Sequence, residues 1–153
     1  MSNASSPYWI LVADSGNARI LEIKRTPAEI RMVHKLTSET LHMRSGDLKS
    51  DASGRSFHVQ GPSSHSKKPR SDAHDQAEKE FSRILVAKLE LAAQHKSFER
   101  LLIAADPKTL GRLRQYMTKA LTARVTDEWN VDLTGIPMAP LEKRLRARLG
   151  WPG

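Results

Sequence analysis

Three carboxylates stand at places where acidic side chains could act together. Asp14 follows the first predicted strand, Glu78 lies near the start of a long predicted helix, and Asp106 follows a later buried strand. Carboxylates from such positions can hold a pair of metal ions, because in-line phosphoryl transfer needs both the attacking and the leaving oxygen neutralised. Each also has a simpler role, as a turn residue, a first-turn helix charge and an N-cap. We therefore expect no catalytic residue and keep a divergent metal-dependent nuclease as an alternative.

Other catalytic and metal-binding patterns do not occur in the sequence. The loop histidines His58, His65 and His74, taken with Asp72, match none of the usual ligand spacings. The chain has no Cys, which excludes disulfides, zinc-finger ligation and thiol catalysis. It also lacks a phosphate-binding P-loop and a dinucleotide glycine fingerprint. We expect neither a metal nor a cofactor, and an enzyme is the less favoured interpretation.

Basic side chains are the more informative feature, because the net charge is +8. A guanidinium beside a ring, as in Arg55 and Phe57, could clamp a phosphate and stack a base. Runs of Lys and Arg could follow a phosphate backbone. A solvated basic surface, with Phe57 as a hydrophobic anchor, is the simpler alternative. The candidate binding residues are Arg55, Ser56, Phe57, Lys67, Lys68, Arg70, Arg112, Arg114, Lys143, Arg144, Arg146 and Arg148.

The C-terminal members of this set lie on the last two predicted helices. If both helices cover the same face of a sheet, their charges together with Lys119 form one positive patch. If they do not, each helix presents an ordinary solvated face. An RNA, a ribosome or an acidic protein is the kind of partner that such a patch would bind.

The strand pattern predicts a mixed sheet. Residues 8–13 are continuously apolar, as in a strand buried on both faces, and residues 19–25 and 30–36 follow after turns as antiparallel neighbours. A second buried strand is predicted over 101–105, and a last strand around 124–129. In that last strand Asp127 would share a face with Val125 and Trp129, which suits only an edge open to solvent.

Helices are predicted between and after the later strands. Asp72 is the expected N-cap of a helix that runs to about 95, the Asp106–Pro107 pair opens a second helix, and a third runs from near Pro140 to Gly150. The first helix should bury a stripe at three- and four-residue spacing. That stripe consists of Ala77, Phe81, Ile84, Leu85, Leu89 and Ala92.

These elements predict an α/β protein with a ribonuclease-H-like mixed sheet in the order β-β-β-α-β-α-β-α, three antiparallel strands followed by parallel crossovers, with helices packed on the sheet. The 153 residues suit a single domain. We expect residues 1–6 to be a disordered or expression-derived tail and residues 44–72 to be a long basic loop rich in Ser and Gly.

Several segments in this order resemble the bacterial host attachment proteins, a family required for attachment to host cells. That family is itself similar to the middle domain of the class-I peptide release factors of eukaryotes and archaea. The matching segments are residues 9–14, 18–20, 54–57, 75–81, 102–107, 110–111, 132–134 and 136–137.

The resemblance implies a surface that faces RNA or the ribosome, without peptidyl-tRNA hydrolysis. In the release factors a loop before a long helix carries a Gly-Gly-Gln motif, and residues 44–72 occupy the corresponding place here. The nearest remnant is Gln60–Gly61. Without adjacent glycines, close approach of the backbone to a reacting ester is not assured.

We therefore expect a non-catalytic RNA- or ribosome-associated binding protein, with a protein-interaction module in host attachment as a further alternative. The short apolar run at 8–13 is not preceded by positive charge, so we expect no signal peptide and a cytoplasmic location. No run is long and apolar enough for a membrane span. An exposed edge strand would be compatible with a homodimer.

Overall fold

The computed structural model describes residues 7–25, 28–41 and 63–150, with side chains at all of these except 25, 28 and 63–71. One five-stranded sheet has the order β3-β2-β1-β4-β5. Its strands are β1 (Tyr8–Ala13), β2 (Asn17–Arg25), β3 (Ala28–Thr37), β4 (Arg100–Ala105) and β5 (Val125–Asn130). The helices are α1 (Ser63–Gln94), α2 (Pro107–Tyr116), α3 (Lys119–Arg124) and α4 (Met138–Leu149).

The sheet is mixed, as the sequence predicted. β1, β2 and β3 are antiparallel neighbours, while β4 pairs parallel with β1 and β5 pairs parallel with β4. All six residues of β1 are buried, because this central strand has helices on both of its faces. The short helix α3 was not predicted as a separate element; it is capped by Thr118, whose hydroxyl accepts a hydrogen bond from the Leu121 amide.

The long helix begins earlier than the sequence predicted. It starts at Ser63 and not at Asp72, so residues 63–72 of the predicted loop are helical, and Lys67, Lys68 and Arg70 belong to a helix. Residues 63–71 contain no large apolar side chain and include Pro69, so the amphipathic pattern that marks a helix in a sequence begins only after them. The rest of the predicted loop, up to residue 62, lies outside the described residues.

Two hydrophobic clusters lie on the two faces of the sheet. The first core joins alternate residues of β1, such as Trp9 and Leu11, to α1 and α2. The second core joins the intervening residues, such as Ile10, to Leu141 and Leu145 of α4. The set of α1 residues predicted to be buried was wrong at one position. Ile84 is 46% exposed, whereas Val86, which was not in the predicted set, is buried.

A β-bulge interrupts each edge strand and changes which face its residues occupy. In β3, Ile20 is opposite His34 but Leu21 is opposite Met32, so Val33 is the extra residue. His34 is exposed and lies edge-on to the Trp9 ring, with the two ring centroids 5.6 Å apart.

In β5 the extra residue is Thr126. Leu101 is opposite Val125, and Leu102 is opposite Asp127. Val125 therefore packs against the first core, while Asp127 and Trp129 lie on the face of the second core. The expectation that all three share a face was wrong for Val125, and the bulge is the physical reason.

Candidate functional site

Asp14 lies at the end of β1 and organises the turn into β2. Its Oδ1 accepts hydrogen bonds from the amides of Gly16 at 2.9 Å and Asn17 at 2.7 Å. Its Oδ2 accepts a hydrogen bond from the hydroxyl of Thr134 at 2.8 Å. This carboxylate therefore connects the β1–β2 turn to the segment that leads into α4.

Glu78 is a buried member of an ion-pair network. Its Oε1 accepts a 2.5 Å hydrogen bond from Nη1 of Arg112, and the two side chains are only 10% and 9% exposed. His74 and Lys108 lie within 3.4 and 3.5 Å of the same carboxylate, and Asp75 pairs with the other Arg112 nitrogen. The network attaches α1 to α2.

Opposing effects act on the pKa of Glu78. Burial, the largest of them, would raise this pKa, but the hydrogen bond from Arg112 and the positive charges of Arg112, Lys108 and His74 together outweigh it. The pKa therefore lies below its usual range, and the side chain is a stable carboxylate at neutral pH.

Asp106 is the N-cap of α2, as the sequence predicted. It accepts hydrogen bonds from the amide of Thr109 at 3.2 Å and from its hydroxyl at 2.7 Å. All three carboxylates considered for a nuclease thus have protein partners. In the part of the chain that the structure describes, no three acidic or histidine side chains form a group suited to a metal ion. Asp14 and Glu78, together with His74, line one cavity of about 190 Å³, and the nuclease alternative stays a prediction.

The basic residues of the last two long helices do not form one patch. Leu110 and Leu113 of α2 belong to the first core, whereas Leu141 and Leu145 of α4 belong to the second, so the helices lie on opposite faces of the sheet. Arg112 is buried in its ion pairs rather than available to a ligand.

The remaining basic candidates also have defined places. Arg114 is exposed on α2 and pairs with Glu128 of β5, and Lys119 is exposed on α3. Arg55, Ser56 and Phe57 lie outside the described residues. Lys67, Lys68 and Arg70 are helical, and their side chains are not described.

The basic residues of α4 meet an aromatic ring at the sheet edge. The guanidinium carbon of Arg148 lies 5.0 Å from the centre of the Trp129 ring, and that of Arg144 lies 5.7 Å from it. Arg148 also pairs with Asp127 at 2.9 Å. We call Trp129, Lys143, Arg144 and Arg148 the α4 surface.

Two members of the α4 surface remain free to bind an anion. Within the described residues neither Lys143 nor Arg144 forms an ion pair, and both are exposed. Arg146, by contrast, pairs with Glu142 one turn earlier at 3.1 Å. The sequence indicated the cations but not Trp129, because the ring reaches them only across the contact between β5 and α4. Cations stacked on an indole leave a surface that suits a phosphate and a base together.

No helix of the described residues is long and apolar enough to cross a membrane. A comparison with the curated proteins finds no match. Among solved structures, the chain is similar to an archaeal translation termination factor, aRF1, with a TM-score of 0.50 at 13% sequence identity. The match covers 94% of this chain and 41% of the factor, so the chain spans less than half the length of that protein.

At 13% identity, that likeness concerns the fold. The model of one protein family, described as a protein required for attachment to host cells, matches residues 9–145 and so covers most of the sequence. The resemblance noted in the sequence is thereby confirmed, and the chain belongs to the host attachment family.

Proposed function

We propose that this protein binds RNA through the α4 surface, in the cytoplasm and in the setting of translation, without catalysing a reaction. The observation that carries the proposal is the stack of Arg144 and Arg148 on Trp129. Lys143, the residue before Arg144, is exposed and forms no ion pair with the described residues. Phosphates provide the negative charge that Lys143 and Arg144 could pair with. A base can stack on a ring or on a guanidinium plane.

The likeness to an archaeal translation termination factor also supports a role in translation for this protein. The sheet order and the parallel pairing of β1, β4 and β5 also support the finer proposal of a ribonuclease-H-like fold. Host attachment would then be an indirect consequence of an RNA-bound state.

The test is charge reversal on the α4 surface. We expect the Lys143→Glu, Arg144→Glu double variant to bind a labelled single-stranded RNA more weakly than the unchanged protein in fluorescence anisotropy. The affinity of the unchanged protein should fall steeply as the salt concentration rises. In the double variant, the loss of two phosphate contacts should reduce the slope of log K against log salt by roughly 1.4, at about 0.7 per contact.

A matched control changes the net charge equally elsewhere. Lys96→Glu with Lys119→Glu reverses two exposed lysines that lie outside the α4 surface, and it should leave RNA affinity nearly unchanged. Equal losses in both double variants would show that only net charge matters and would contradict the proposal. Equal binding of polyglutamate and RNA by the unchanged protein would also contradict it and would favour an acidic protein partner.

A further inference from the structure

A cavity of about 450 Å³ lies at the end of the sheet where β2 begins and β3 ends. Its walls include Arg19, Lys35 and Leu36 from the strands, and Thr134 and Ile136 from the connection that leads into α4. We call it the strand-end cavity. Its size is in the range of cavities that hold small organic molecules.

Two cations lie side by side in this cavity. Arg19 and Lys35 are directly opposite each other in the β2–β3 register, so their side chains leave the same face of the sheet. In the described part of the chain neither forms an ion pair. A like-charge pair directly across two strands is unfavourable unless an anion lies between or beside the charges.

Arg19 is held in place by backbone groups that do not neutralise it. Its Nη2 donates hydrogen bonds to the carbonyls of Leu133 at 2.8 Å and Thr134 at 3.0 Å. Its Nε is buried and has no hydrogen-bond partner among the described residues, and burial lowers the pKa of this guanidinium. The fold therefore fixes a partly desolvated positive charge, and residues 7–25, 28–41 and 63–150 supply no carboxylate that pairs with it.

The acidic residue in the wall does not take that role. Asp14 is already the acceptor for the Thr134 hydroxyl and for the amides of Gly16 and Asn17. The start of α4 adds further positive character, because its N-cap is Pro137 and no side chain caps it. Ile136, which packs against the second core, gives the cavity an apolar wall.

We propose that the strand-end cavity binds a small organic anion, with its phosphate or carboxylate group against Arg19 and Lys35 and its apolar part against Ile136. This site is separate from the α4 surface and does not depend on RNA binding. The cavity is larger than inorganic phosphate requires, which is why the ligand should carry an organic part.

The test compares three probes of similar shape by isothermal titration calorimetry: phenyl phosphate, benzoate and the neutral benzamide. We expect one of the two anions to bind and benzamide not to bind. Tighter binding of phenyl phosphate would assign a phosphate ligand, and tighter binding of benzoate a carboxylate. Equal binding of benzamide, or no binding of either anion, would overturn the proposal.

Lys35→Gln tests the site without disturbing the backbone contacts of Arg19. It should weaken binding of the preferred anion by about tenfold, the loss typical of one charge-assisted hydrogen bond. Lys24→Gln, an exposed lysine further along β2, is the matched control and should not weaken it. Equal weakening in both variants would overturn the site. RNA affinity should be unchanged in Lys35→Gln, so this result and that for the α4 surface are independent.

Discussion

The contact between Glu78 and Arg112 joins two residues that the sequence had placed in different candidate sites. Sequence reasoning placed Glu78 among acidic residues of a nuclease and Arg112 in a basic patch. The structure brings them to 2.5 Å of each other in a buried site between α1 and α2. Each charge satisfies the other, because a buried charge needs a partner. The pair therefore gives both charges a structural role in joining α1 to α2.

Replacing Glu78 by Gln should destabilise the fold by about 2 kcal/mol in urea unfolding at neutral pH. The usual loss for breaking a buried pair is roughly 3–5 kcal/mol. The smaller figure is expected here because Arg112 keeps its contact with Asp75. Glu80→Gln, on the exposed side of α1, is the matched control and should change stability little.

The same pair predicts a pH dependence. Because the pKa of Glu78 is lower in the folded protein than in the unfolded chain, its contribution to stability is complete above the unfolded pKa of about 4.3. It is lost as the pH falls from there through the folded pKa. The stability difference between the unchanged protein and Glu78→Gln should therefore shrink on acidification. A difference that stays constant down to low pH would contradict the assignment.

At the scale of the element, the local sequence predicted two helix ends correctly, but Asp72, the expected N-cap, lies inside α1. Asp106 caps α2 and Gly150 ends α4 with φ 74°, a left-handed conformation that glycine adopts without a steric penalty. The start of α1 was missed because nothing in residues 63–71 provides an apolar face. A helix end can thus be predicted where a side chain caps the backbone amides or where a glycine adopts the left-handed conformation that ends the helix.

Asp106→Ala should cost about 1 kcal/mol of stability, the usual loss for an N-cap acceptor. Urea unfolding measures it, and Asp106→Ser, which can still accept the hydrogen bond from the Thr109 amide, should recover most of the loss. If Ser restores nothing, then Asp106 stabilises the protein by some means other than capping.

At the scale of the whole molecule, one sheet separates two cores. α1 and α2 cover one face and α4 covers the other, so the basic residues of α2 and α4 are kept apart. Both edge strands carry a bulge, which interrupts the row of backbone groups available to another chain. A homodimer through an edge strand stays a prediction, and these bulges work against it.

Because both cores share the central strands, we expect them to unfold together as one domain. Leu85→Ala and Leu145→Ala remove fully buried side chains from the first and second core, and each should cost about 2–5 kcal/mol. Leu91→Ala, at a position 54% exposed, should cost little. Tryptophan fluorescence and far-UV circular dichroism should give coincident urea transitions, and two separate transitions would contradict a single domain.

The sequence by itself determined the five strands, the mixed sheet, the Asp106 cap of α2 and the Gly150 end of α4, because apolar periodicity and capping depend on near neighbours in the chain. It also indicated the family, through the order of short matching segments. Only the tertiary structure decided where the charges went. The bulge at Val33 places Lys35 beside Arg19, the bulge at Thr126 brings Trp129 and Asp127 to α4, and helix packing buries Arg112. Each of these depends on residues far apart in the chain, and a shift of one residue in register moves a side chain to the other face of the sheet.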